Sequence, residues 1–217
     1  MSDVIKVLLV DDHDIVRIGV RSFLCSFDDI EVVGEAANGQ EAVDLTAELS
    51  PDIILMDMLM PVMDGIQAIR EIRDRKLPGR IIALTSFATD DKLFPAIKAG
   101  AMGYLLKDST PQELLEAIRR VYRGEPSLAP DIARKVLSEL SQSGEDSTIP
   151  TPDPLTPREL DTLKLVAKGK SNKAIAEDMF VSEATVRTHM TSILSKLHLA
   201  NRVEATLYAL REGIASL

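Results

Sequence analysis

The chain has 217 residues, 45% hydrophobic and 27% charged, with a net charge of -9. That length is large for one α/β fold and suits two modest cores. A single cysteine, Cys25, excludes an intramolecular disulfide and is expected as a small buried hydrophobe in a reducing compartment. Met1-Ser2-Asp3 opens no basic leader, and no apolar run approaches the roughly 20 residues of a membrane span, so a cytoplasmic protein with no membrane partner is expected.

Charge is uneven along the chain. Residues 1 to 149 hold 16 basic and 26 acidic side chains, whereas 150 to 217 hold 9 and 8. Any nucleic-acid surface therefore belongs to the second part, as a local patch.

From Lys6 to Gly124, apolar runs of strand length alternate with amphipathic helical patterns, which predicts βαβ units on a parallel sheet. Strands are expected near 4–10, 31–36, 52–57, 80–85 and 103–106, with helices between them and after the last. Thr110-Pro111-Gln112-Glu113 announces the fifth helix: a Thr N-cap, a Pro at the first helical position and a Glu three beyond the cap form a capping box. Five strands and five helices in about 120 residues suit a doubly wound, flavodoxin-like α/β domain over 1–124 with strand order 2-1-3-4-5. That order sets the first and third strands side by side.

Residues 130–140 keep a weak helical pattern, and Ser141 to Pro154 has almost no apolar residue and three prolines, so 125–154 reads as a linker. Four closely spaced helices are expected over 155–217. Thr156-Pro157-Arg158-Glu159 is a second capping box, with Leu155 and Leu160 at staple positions and Gly169 as the stop. Ser171 caps a short helix through Asp178, Ser182 caps a longer one over 182–197, and Asn201-Arg202-Val203-Glu204 opens the last. Two helices joined by Met179-Phe180-Val181, the second long and polar on its outer side, form a helix-turn-helix.

Four apolar runs end in polar residues: Asp11 and Asp12, Asp57, Thr85, and Lys107. Sites on open parallel sheets form outside the carboxyl ends of the strands, so these residues are expected in one pocket. Three close carboxylates repel one another unless a cation neutralises them, and hard oxygen donors select magnesium or manganese. With such an ion bound, one carboxylate can attack phosphorus while Lys107 and the Thr85 hydroxyl bind the equatorial oxygens, leaving an aspartyl phosphate on the protein. His13 lies beside this pocket but one position out of line for a ligand, and His189 and His198 have no Cys partner, which argues against zinc.

In the helix over 182–197, Val186, Met190, Ile193, Leu194 and Leu197 share one face. The other face carries small residues and two cations, and Glu183 sits in the first turn, where the helix dipole favours an anion. Arg187, with its planar fork, is the candidate for reading a guanine edge. Thr185, Thr188, Thr191 and Lys196 are candidates for phosphate or sugar contacts, joined by Asn172 and Lys173 from the helix before.

These motifs resemble a known family. Val10-Asp11-Asp12-His13, Leu55-Met56-Asp57-Met58 with Pro61 and Asp64-Gly65, Leu84-Thr85-Ser86 and Gly103 to Lys107 resemble the receiver domain of two-component response regulators. Leu155 to Glu159, Ser171 to Ala176 and Ser182 to Leu197 resemble the LuxR-type helix-turn-helix. The pairing is that of the NarL/FixJ group, and the receiver's wording is similar to the LiaR and VraR type that answers cell-envelope stress. The resemblance implies a transcriptional regulator that is not a turnover enzyme: Asp57 accepts a phosphoryl group from a sensor histidine kinase, Asp11 and Asp12 hold magnesium, and Thr85, Tyr104 and Lys107 sense the modification. It also implies a homodimer on double-stranded promoter DNA, with RNA polymerase as a further candidate partner. Asp108 follows Lys107 where many receivers carry a proline, a departure that touches the loop's geometry and not the chemistry.

Two other classes of protein fit the same residues less well. Phosphohydrolases of the haloacid dehalogenase kind want Asp-x-Asp, which Asp12-His13-Asp14 supplies, but Val16 stands where a Thr is required and Asp57 would have no role. A DNA-binding protein that ignores phosphate would have no need of the complete pocket.

Overall fold

Strands buried on both faces read as continuous apolar runs, and the five runs of the first part become parallel strands with helices on either side. The computed structural model describes residues 4–86, 93–128, 154–199 and 201–215. The helix expected at 130–140 and most of the linker lie outside these. The chain divides into two compact units after Tyr122.

The first unit runs β1 (Ile5–Val10), α1 (Asp14–Leu24), β2 (Ile30–Ala36), α2 (Gly39–Leu49), β3 (Ile53–Asp57), α3 (Gly65–Asp74), β4 (Arg80–Thr85), α4 (Leu93–Ala99), β5 (Gly103–Leu106) and α5 (Pro111–Tyr122). The sheet order is β2-β1-β3-β4-β5-β6, where β6 (Ser127–Leu128) is a two-residue edge strand. The order of the first five strands is the expected one. β6 was not expected, because two residues carry no alternation to detect.

Ile5, Val7, Leu9, Ile53, Leu55, Ile82 and Leu84 form one face of the sheet, in a cluster with Leu24 of α1 and Ala117, Ile118 and Val121 of α5. The alternate residues Leu8, Val10, Ile54 and Met56 are buried as well, so both faces are covered. Arg119 of α5 grips both oxygens of Asp29 at 2.9 and 2.8 Å and lies over the Phe27 ring at 5.6 Å. This clamp ties α5 to the connection between α1 and β2.

Cys25 is exposed, not buried. It follows the last turn of α1 as the C-cap residue, and Leu24 before it takes the place in the core. The Cys25 backbone is still helical and its N–H donates to the Arg21 carbonyl, so the inward position at this end of the helix belongs to Leu24 and the thiol faces outward.

The second unit has α6 (Pro157–Ala167), α7 (Asn172–Met179), α8 (Glu183–Lys196) and α9 (Arg202–Arg211). Ser171, Ser182 and Asn201 each accept from the backbone N–H three residues on, and Thr156 with Glu159 closes the complete capping box. Met179 belongs to α7 and to the core, so the turn narrows to Phe180, Val181 and Ser182. Leu163, Val166, Ile175, Val186, Met190, Ile193, Leu197, Ala205 and Ala209 make that core.

Leu24→Ala is expected to lower the receiver's unfolding free energy by about 3 kcal/mol in a urea titration, the cost of a buried leucine cavity. Cys25→Ser, one residue on, is expected to change it by less than about 0.5 kcal/mol, and a thiol reagent is expected to label native Cys25 at one equivalent.

Candidate functional site

In a parallel sheet a site opens where the chain reverses direction between neighbouring strands. Here β1 lies between β2 and β3, and the connections leave it on opposite sides. Val10 is registered against Met56, which sets Asp11 beside Asp57. Asp57 in turn pairs with Leu84, and Thr85 with Leu106, so Thr85 and Lys107 arrive at the same sheet end. The sequence expectation of one pocket is met by geometry.

Asp11 and Asp57 are buried, at 2% and 3% exposure, while Asp12 is at the rim. Lys107 Nζ bridges the two buried carboxylates, 2.6 Å from Asp11 Oδ2 and 2.9 Å from Asp57 Oδ2. The Leu59 N–H donates to Asp57 Oδ1 at 3.2 Å. Burial pushes the Asp57 carboxyl above the ordinary carboxylate range, against the pull of Lys107 and the Leu59 N–H. For Lys107, burial works downward, but its bonds to Asp11 and Asp57 outweigh it and hold the ammonium charged beyond its ordinary range. Thr85 is buried at the end of β4, and its carbonyl accepts from the Lys107 N–H at 2.7 Å. Tyr104 is 1% exposed, so its ring lies inside the domain in this conformation.

Gly65 opens α3 against β3, and a Cβ there would stand 2.2 Å from the Asp57 carbonyl oxygen. Only glycine lets α3 start this close to the Asp57 backbone, which gives the Asp64-Gly65 pair a steric reason. Asp64 caps the same helix by accepting from the Gln67 N–H at 2.9 Å. Among the described residues no peptide bond is cis, the one before Asp108 included.

The donor set fits a hard divalent ion. Three carboxylates with one ammonium leave net negative charge around two buried groups, and the ligand atoms of Asp11, Asp12, His13 and Asp57 all lie within 4.8 Å of one another. One residue of this site escaped the sequence reading. Arg17 donates to the Asp11 carbonyl at 2.5 Å and pairs with Asp14 and with Glu35 of β2, anchoring the strand end that carries the carboxylates. Its i, i+3 spacing from Asp14 was the available signal. His13, expected beside the pocket, turns its Nδ1 to Asp12 Oδ1 at 2.8 Å and Asp11 Oδ1 at 3.2 Å.

On α8, Arg187, Thr188 and Thr191 are exposed and Thr185 is half-buried, while Val186, Met190, Ile193 and Leu197 point to the core and Leu194 packs at its margin. The hydroxyls of Thr188 and Thr191 donate to the carbonyls of Ala184 and Arg187, at 3.0 and 3.1 Å. Arg187 lies 3.7 Å from Glu183. Lys173 is exposed on α7, whereas Asn172 Oδ1 accepts from Arg202 of α9 at 2.7 Å. Lys196 differs from the outward residue expected: its Nζ donates to Glu159 Oε2 at 2.7 Å. Glu159, 5% exposed, also accepts from the Thr156 N–H at 2.8 Å. The Lys196 bond, with help from Thr156 and against burial, holds the Glu159 carboxyl down at about 2.

A model of the response regulator receiver domain matches residues 7–119, and one of bacterial regulatory proteins of the luxR family matches 153–209. The fold and site therefore define a response regulator, a receiver joined to a LuxR-type DNA-binding domain. The chain is 50% identical over 98% of its length to transcriptional regulatory protein LiaR of Bacillus subtilis (strain 168), all of which is covered. It is 40% identical over 97% of its length to response regulator protein VraR of Staphylococcus aureus (strain NCTC 8325 / PS 47), 98% of which is covered. A crystal structure of response regulator ChrA from a heme-sensing two-component system is 36% identical, covers 99% of this chain and 100% of that one, and superposes with a TM-score of 0.54. The chain belongs to the NarL/FixJ family, in its LiaR/VraR type. Among the described residues, no helix is long and apolar enough to cross a membrane.

Folding depresses the Glu159 pKa from its ordinary 4.5 to about 2, so the stability this carboxylate contributes is complete above pH 4.5 and is lost as pH falls toward 2. Urea unfolding followed through NMR signals of α6 and α8 is expected to show that acid loss. In Lys196→Met the loss is expected to shrink.

Proposed function

We propose that this response regulator accepts a phosphoryl group on Asp57 from a cognate sensor histidine kinase in the cytoplasm. The phosphorylated form pairs with a second copy and binds promoter DNA through α8. The observation that carries the reading is the meeting of Asp11, Asp12, Asp57, Thr85 and Lys107 at the carboxyl ends of the four neighbouring strands β1, β3, β4 and β5.

An Asp57 carboxylate oxygen attacks phosphorus; the new O–P bond forms as the P–N bond to the kinase histidine breaks and its electron pair stays on the imidazole nitrogen. Burial that raises the proton affinity of Asp57 also makes its carboxylate the better nucleophile. Lys107 already touches Asp57 and is positioned to follow the charge onto the phosphoryl oxygens, and the Thr85 hydroxyl takes another oxygen. Asp11, Asp12 and Asp57 would hold magnesium or manganese, which when bound neutralises charge on the transferring group. The protein is modified once per cycle and is not a turnover enzyme.

Phosphorylation is expected to fix Thr85 against the new group, keep Tyr104 inside and shift the population toward a surface around α4 and α5 that pairs with a second copy. Two copies on a two-fold axis would read half-sites about one helical turn apart, with α9 as a contact between the DNA-binding units. Arg187 reads a guanine edge, and Thr185, Thr188, Thr191, Asn172 and Lys173 contact phosphate or sugar. Lys196 reaches DNA only by leaving Glu159. RNA polymerase is the further partner such a regulator would engage.

Intact mass after incubation with magnesium and acetyl phosphate is expected to show one phosphoryl adduct on the wild type and none on Asp57→Asn. Loss of the wild-type adduct under conditions that modify a known receiver would overturn the reading. In DNA binding, Arg187→Ala is expected to blur base preference by about 1–3 kcal/mol at one position, whereas Lys173→Ala is expected to weaken all sequences alike and lower the salt slope by about 1; the reverse pattern would overturn the assigned roles.

A further inference from the structure

We propose that Arg202 of α9 is a positioning residue for DNA binding: it locks the Asn172 side-chain amide with its oxygen inward, so that the NH2 group faces a backbone phosphate as a donor. The inference rests on the DNA-binding reading above.

Asn172 and Lys173 open α7, and Ser171 before them uses its hydroxyl oxygen to accept from the Ala174 N–H at 3.1 Å. An asparagine amide can present either its oxygen or its two N–H groups, and the two arrangements differ by a half-turn about one soft torsion. A phosphate accepts hydrogen bonds and repels an oxygen, so only the second arrangement serves DNA.

Arg202 removes the choice. A guanidinium donates and has no acceptor, and its Nη1 stands 2.7 Å from Asn172 Oδ1, so the oxygen is the atom that faces it. Nη2 of the same guanidinium donates to the Lys170 carbonyl, in the turn between α6 and α7. One planar fork thereby ties down the amide and the backbone two residues before it, a fixed geometry that the point charge of a lysine does not supply. With its oxygen held inward, the half-buried Asn172 turns Nδ2 away from the guanidinium, next in the chain to exposed Lys173.

Arg202 is otherwise an unfavourable way to pack α9. It is 7% exposed, and among the described residues its Nε is buried without a partner. A buried guanidinium with one nitrogen unsatisfied destabilises relative to an apolar side chain of similar volume. What an apolar side chain cannot do is hold Asn172 and Lys170 together.

Binding of the full chain, incubated with magnesium and acetyl phosphate, to a random-sequence DNA duplex tests this, with thermal unfolding followed alongside. Asn172→Asp keeps an oxygen for Arg202 and puts a second oxygen where the NH2 group was. It is expected to unfold no earlier than the wild type and to bind the duplex at least about tenfold more weakly. Asn172→Ala is expected to bind more weakly with an unchanged salt slope, because a neutral amide displaces no counterion. Arg202→Lys, which keeps the charge and loses the fork, is expected to weaken binding on its own and to add nothing in the double variant with Asn172→Ala. In NMR spectra the wild-type Asn172 side-chain amide is expected to shift when duplex is added, a response that a purely structural Arg202 would not require. Wild-type affinity or earlier unfolding in Asn172→Asp, or losses that multiply in the double variant, would overturn the proposal. A wild type that binds no duplex would overturn the DNA-binding reading itself, and the proposal with it.

Discussion

The first unit depends on a charge imbalance held at one end of a sheet. Asp11 and Asp57 are almost fully buried, and among the described residues the only ammonium touching them is Lys107. Two buried carboxylates so close together are costly unless each keeps an ionic or hydrogen-bonded partner. Lys107 supplies that partner from β5, Leu59 adds an N–H, and His13 and Arg17 secure the β1 end. The arrangement is stable enough to fold and still short of positive charge.

The same end of the sheet explains several choices that look unrelated in the sequence. Gly65 is there because any side chain would collide with the Asp57 carbonyl. Arg17 is there because the Asp11 carbonyl, at the end of its strand, needs a donor that the sheet no longer provides. Tyr104 lies on β5 opposite Ala83, two positions before the Thr85–Leu106 pair that leads to Lys107, and is buried.

The second unit is organised by a different device. Glu159 closes the capping box of α6 and also holds Lys196 at the far end of α8. One carboxylate thus sets the start of the first helix and the seat of the last turn of the recognition helix. The exposed face of α8 keeps Arg187 and three threonines, and its boundary with the core is drawn by Val186, Met190, Ile193 and Leu197. Two of those threonines satisfy their hydroxyls on carbonyls of their own helix.

The sequence by itself determined the strand runs, the capped helix starts, and the polar residues that close four of the strands. These are short-range properties: alternation, caps and turn residues act within a few positions of one another. It also carried the pocket, because a parallel sheet collects its strand ends on one side. Only the tertiary structure decided what depends on the exact partner across space. Cys25 faces outward because Leu24 takes the inward position at the end of α1, Lys196 turned to Glu159 thirty-seven positions away, and the His13 ring lies against Asp11 and Asp12. β6 gained its place from an edge left open beside β5. For Lys196 the choice between solvent and Glu159 was made by a residue far along the chain, which no local pattern can register.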